Sequence, residues 1–187
     1  MNRVLGIVVL FALAVASHAS PIFYSFSGNV SGNLGGTDFT NKNFVITLST
    51  DTTLIDHFNN FHQTQVSPTT VSIDGFSMVS VLPSMNPAVF YNNTSKFVGI
   101  GKLGDQDWLD IGSNSFTGWD LASPIGPITG NVIGVNQFHD VATTGGLLMF
   151  NANSISTATF QASAVPEPAT LAVIGAGIVA MLRRRRK

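Results

Sequence analysis

Between Ile22 and Ala162 the apolar residues fall mainly at alternate positions in short runs rich in Val, Ile, Thr and Phe, and Gly, Asn and Asp break the runs. Period two is the spacing of side chains on one face of a β-strand. A chain with this pattern buries its apolar side chains by pairing strands, and no segment of this stretch sustains a helical period. Ile22–Val30 opens as a strand and breaks at Ser31–Gly36, and Phe44, Ile46 and Leu48 then give the next strand one apolar face. Asp74-Gly75 between two β-prone runs has the composition of a two-residue type I′ turn, in which both central residues take positive φ. Further strands are expected at Ala88–Tyr91, Lys96–Ile100, Trp108–Ile111, Phe116–Leu121, Gly146–Asn151 and Ile155–Ala162. Ser123–Asn131, with Pro124 and Pro127, is expected as a loop or an edge crossing. Eight to ten short strands of this kind predict an all-β, antiparallel β-sandwich or jelly-roll-like body over residues 20–164.

Both ends of the chain have a different character. Asn2-Arg3, the apolar run Val4–Val15 and the small residues of Ser17-His18-Ala19 form the three parts of a signal peptide over residues 1–19. Signal peptidase is expected to cut between Ala19 and Ser20. Residues 165–187 join Pro166-Glu167-Pro168 to the apolar segment Ala169–Leu182 and then to Arg183, Arg184, Arg185, Arg186 and Lys187. Five cations beside an uncharged segment place the C-terminus on the cytoplasmic side of a membrane and the body outside it. As a helix, Ala169–Leu182 would rise about 21 Å at roughly 1.5 Å per residue, short of the roughly 30 Å hydrocarbon core. A transmembrane helix of that length suits a temporary hold rather than a lasting anchor.

This order of triplet, apolar segment and Arg cluster at the C-terminus resembles the tail of PEP-CTERM sorting-signal proteins. The resemblance implies that exosortase, a membrane-embedded cysteine transpeptidase, recognises Pro166, Glu167 and Pro168 and removes the tail during export. It further implies a Gram-negative exporter that makes extracellular polysaccharide. In the body, Leu34–Phe39, Phe44–Leu48, Asp51-Thr52, Asp107–Ile111, Phe116, Asp120-Leu121 and Ser123–Ile128 resemble a recurrent β-rich body of PEP-CTERM proteins, one that brings no activity with it.

Charge narrows the partners of the body. Residues 20–164 carry three lysines, no arginine and nine aspartates, a net charge near −6 that the basic tail conceals in the whole chain. An acidic body without arginine is a poor candidate for binding nucleic acid or anionic lipid, and nucleic acid is excluded as a partner. The chain has no cysteine, which rules out thiol catalysis and Cys-based metal sites.

Candidate chemistry is sparse. Asp105, Asp107 and Asp110 form the densest carboxylate cluster and would offer calcium hard oxygen ligands if a loop gathered them, although the glycine and terminal glutamate of an EF-hand loop are missing. The expectation is that these aspartates are solvated and that no metal or other cofactor is bound. With no glutamate before Glu167, a glycosidase pair would have to be two aspartates. His57 and His62 stand five apart without the glutamate of a zincin helix, and His139-Asp140 is an isolated dipeptide. All three histidines are expected to be ordinary surface or half-buried residues. Trp108, Trp119, Tyr24 and Tyr91 are expected in the core, with a sugar-binding platform as the alternative.

The sequence therefore reads as an exported bacterial cell-surface or extracellular-matrix protein without catalysis, associated with exopolysaccharide or biofilm. Its precursor is anchored in the inner membrane with a periplasmic body, and signal peptidase and exosortase are transient partners. A secreted carbohydrate-binding module or Asp-dependent hydrolase is the alternative. A third reading is an ice-binding-type protein, since tails of this kind occur on some of those, but the threonine pairs here follow no fixed repeat.

Overall fold

The structure is a computed structural model that describes residues 20–134 and 140–164. Alternating burial begins at once in β1 (Pro21–Leu34), where Ile22, Tyr24, Phe26 and Val30 point inward, and continues in β2 (Thr37–Asp51) with Phe44, Ile46 and Leu48. The two long strands pair along almost their whole length, with a bulge where Val30 opposes Lys42 but Gly32 opposes Phe39. The extra residue on β2 reverses its parity, so that odd-numbered Phe39 and even-numbered Phe44 both reach the core. Asn41, inside the bulge, takes the positive φ of 52° that this geometry requires.

The remaining strands are β3 (Asp56–Phe58), β4 (Phe61–Gln65), β5 (Thr69–Ile73), β6 (Val79–Ser80), β7 (Pro87–Asn92), β8 (Phe97–Lys102), β9 (Asp107–Gly112), β10 (Ile125–Gly134), β11 (Val141–Thr143), β12 (Gly146–Phe150) and β13 (Thr157–Ala164). They form one antiparallel sheet in the order β3-β4-β7-β8-β9-β10-β13-β1-β2-β5-β6. The first half of β1 pairs with β13 and its last residues pair with β12, which in turn carries β11. A bridge between Val81 and Thr143, with Leu82 N–H donating to Ala142 O and Thr144 N–H to Ser80 O, ties the chain at β6 back to β11. The sheet thus curls upon itself. The expected all-β antiparallel class holds, with the two layers of a sandwich supplied by parts of one curled sheet.

The inside of the curl is filled by the connection between β9 and β10. Phe116–Leu121, expected as a strand, is instead a plug: Asn114–Phe116 forms a 3-10 turn, and Phe116, Trp119 and Leu121 are buried. The Trp119 ring lies 5.2 Å from Phe160, 5.7 Å from Tyr91 and 6.3 Å from Tyr24, so it joins β13, β7 and β1 across the interior. Its Nε1 donates to Ser123 O at 2.8 Å, the Tyr24 hydroxyl donates to Leu121 O at 2.8 Å, and the Tyr91 hydroxyl donates to Phe116 O. These bonds satisfy the polar ends of three large buried rings.

Two further expectations change. Ser123–Asn131 is not a loop: most of it lies in β10, a central strand, and Pro127 is accommodated because the register shifts between Ile125 and Ile128. Asp74-Gly75 does turn the chain between β5 and β6, but only Gly75 has positive φ, at 87°, so the turn is not type I′. Phe76 N–H donates to Ile73 O at 2.9 Å, and Asn43 Nδ2 holds the Asp74 carboxylate at 2.8 Å. Pairing resumes only at Val79 and Ser80, because Phe76 turns in to pack 5.6 Å from Phe39.

Among the described residues no helix is long and apolar enough to cross a membrane. The expected signal peptide, including Ala19, and the expected transmembrane segment Ala169–Leu182 lie outside the described residues.

Candidate functional site

The three clustered aspartates are separated by the hairpin that carries them. Asp105 sits in the exposed turn between β8 and β9 and makes a 2.8 Å ion pair with Lys102. Asp107 opens β9 and Asp110 lies in the middle of it. Among the described residues no group of three His, Asp or Glu side chains is placed to hold a metal ion.

Asp110 is nevertheless unusual. Register places Phe90, Gly99, Asp110 and Gly134 side by side on β7, β8, β9 and β10, in one row across the outer face of the sheet. A methyl group added at Gly99 would stand 2.2 Å from Asp110 Oδ1, and one added at Gly134 would stand 2.7 Å from Oδ2. The two glycines therefore make the space that the carboxyl group fills. Asp110 is 8% exposed, and its Oδ1 has no hydrogen-bond partner among the described residues. Burial first, and the nearby Asp107 charge second, push its pKa up to about 7. A carboxyl so enclosed can hold a proton near neutral pH, but it is poorly placed to reach a polymer chain.

The aromatic residues are core residues. Trp108 is 1% exposed and Trp119 6%, and Tyr24 and Tyr91 are buried beside them, so none of the four forms a platform for sugar rings. Polar concavity lies elsewhere. A groove of about 540 Å³ is lined by Ser95, Lys96, Gly112, Asn114, Asn131 and the exposed Ile133. A second depression of about 410 Å³ is lined by Ser27, Asn29, Ser154, Ser156 and Thr157, and the two share Thr129. Thr129 and Thr159, opposite each other on β10 and β13, join their hydroxyls at 2.8 Å where the depressions meet. The result is a trough mostly of hydroxyl and amide groups, with Ile133 the large apolar side chain, across β9, β10, β13 and β1, and Lys96 is its only cation among the lining residues.

The structure also brings together His57 and His62, expected as ordinary surface or half-buried residues. β3 and β4 form a hairpin over Asn59-Asn60 in which Phe58 opposes Phe61 and His57 opposes His62. The two imidazoles meet with Nδ1 atoms 2.7 Å apart, and His62 stacks on Tyr91 at 5.9 Å. Burial, and then the neighbouring His57, lower the His62 pKa, while Asp120 works in the opposite direction. The signal was present in His57-Phe-Asn-Asn-Phe-His62: a two-residue turn at Asn59-Asn60 sets positions five apart directly across from each other. Asn59 takes the positive φ of 52° that such a turn needs. His139 lies outside the described residues.

Comparison with known proteins concerns the other end of the chain. The PEP-CTERM protein-sorting motif matches residues 164–187, a span that contains Pro166, Glu167, Pro168 and the cations Arg183–Lys187. These residues lie outside those the structure describes. The match overlaps the β-rich body only at Ala164, the last residue of β13. No curated protein and no solved structure matches the chain significantly. The PEP-CTERM motif at residues 164–187 implies an exported protein processed by exosortase, with a membrane-anchored precursor whose tail is then cleaved.

Proposed function

We propose that the body is a non-catalytic cell-surface or matrix component that adheres to neutral exopolysaccharide through the trough across β9, β10, β13 and β1. The observation that carries this reading is the continuity of the two polar depressions at Thr129. Serine, threonine and asparagine side chains offer donors and acceptors to sugar hydroxyls without a fixed charge. Each such bond adds only about 0.5–1.5 kcal/mol net, so a single chain would bind weakly. A polymer gains affinity by engaging many copies at once. The acidic body favours a neutral polymer over an anionic one. The exosortase signal supports delivery to the place where such a polymer accumulates.

The test is co-sedimentation of the purified protein with the exopolysaccharide of its producer, comparing wild type with Thr129→Asp/Asn131→Asp. Both positions lie on the outer face, so the fold should survive the change. Wild type should be retained and the double variant lost to the supernatant. Equal recovery of the two in the pellet, or no retention of wild type, would contradict the assignment.

A further inference from the structure

We propose that His57 and His62 form a two-imidazole site for a divalent transition-metal ion, with Cu(II) the best-fitting occupant. Both side chains project from one face of the β3–β4 hairpin at directly opposed positions, so the backbone register alone sets their separation. The Nδ1 atoms are 2.7 Å apart. Two nitrogens in adjacent positions of a square-planar ion, each at about 2.0 Å, stand about 2.8 Å from each other, whereas a tetrahedral zinc site holds them about 3.3 Å apart. The pair is therefore nearly at the tetragonal spacing already, and an ion bound to both Nδ1 atoms replaces their hydrogen bond, the Nδ1 proton moving to Nε2 of the same ring.

The ion takes neutral imidazoles, each of which offers it a free nitrogen lone pair. Tyr91 stacks on the His62 ring and limits its rotation. Asp120, on the plug between β9 and β10, contributes a negative field at His62 without being a ligand. Its carboxylate is occupied by the N–H groups of Ala122 and Ser123 and by the Ser123 hydroxyl. Water would complete the coordination sphere on the exposed side of His57.

The experiment is titration of the full-length chain in detergent with CuCl₂, followed by equilibrium binding and electron paramagnetic resonance. Wild type should bind one copper per chain with an axial spectrum showing two imidazole nitrogens, and binding should weaken below about pH 6.5, where histidine ordinarily gains its proton. His57→Gln and His62→Gln should each weaken binding roughly tenfold or more and remove the two-nitrogen pattern. The other two histidines of the chain, His18 and His139, supply the controls. His18→Gln and His139→Gln should leave both readouts unchanged. His57 is exposed, so His57→Gln keeps the test valid even if His62→Gln, which loses the Tyr91 contact, melts early. Copper binding that survives both hairpin substitutions, or that is lost equally with His139→Gln, would overturn the proposal.

Discussion

Replacing Asp110 with Asn should flatten the pH dependence of stability, because the enclosed carboxyl holds its proton far longer in the fold than in the unfolded chain. Unfolded, Asp110 ionises near pH 3.9. In its slot between Gly99 and Gly134 it does so at about 7. Between those values the folded chain binds more protons than the unfolded one, so stability falls as pH rises through the window and levels off above it. The full shift of about three units corresponds to at most about 4 kcal/mol, of which about two units, or about 3 kcal/mol, lie between pH 5 and the folded value. Relaxation and residual water reduce that ceiling, and we expect about 1–2 kcal/mol. Urea unfolding at pH 5 and pH 8 measures it. Wild type should lose that much more stability than Asp110→Asn over the interval, since other titrating groups are common to both. The amide adds donors to a site with no acceptor assigned to them, so the slope and not the absolute stability is the readout. Parallel pH profiles for the two proteins would refute the claim that this carboxyl is buried and protonated.

Three other perturbations test the packing. Trp119→Ala should cost about 3–5 kcal/mol in urea unfolding, because it empties the space where Tyr24, Tyr91 and Phe160 meet; a loss below about 1 kcal/mol would mean that the plug does not hold the curl together. Gly75→Val should cost about 1–3 kcal/mol through backbone strain alone, since φ is 87° and no atom lies within 4 Å of the added Cβ; an unchanged melting curve would show that the turn can take another conformation. Millimolar calcium added after chelation should leave the melting temperature unchanged, because Asp105, Asp107 and Asp110 are not gathered; a rise of several degrees that Asp107→Asn abolishes would place calcium there.

What the sequence revealed follows from where period two is clean. β1 and β2 were legible because Ile22, Tyr24, Phe26 and then Phe44, Ile46, Leu48 recur at every second position, opposite a mixed outer face that carries Ser25 and Thr47 as well as the exposed Phe23 and Val45. The plug misled for a physical reason: Phe116, Trp119 and Leu121 are apolar at intervals that pass for a strand, yet their burial comes from filling the curl rather than from pairing. β10 was hidden by Pro127, whose missing N–H falls at a register shift. β3 is exposed and β4 mostly half-buried, and both are short, so no apolar face announced them, and the contact between His57 and His62 was not legible without them. The Asp110 slot depends on the register of three consecutive strands, β8, β9 and β10, which sets Gly99 and Gly134 on either side of it, and no local pattern encodes that register. The C-terminal tail was the most legible part, because its triplet, apolar segment and cations are contiguous.

Intact-mass spectrometry of the protein recovered outside an exosortase-positive host shows whether the tail is removed on export. The expected species begins at Ser20 and ends between Val165 and Pro168, leaving the body from β1 to β13 whole. Replacing Pro166-Glu167-Pro168 with three alanines should trap the uncleaved precursor in the inner membrane. Full-length protein still carrying Arg183–Lys187 in the extracellular fraction would contradict removal of the tail.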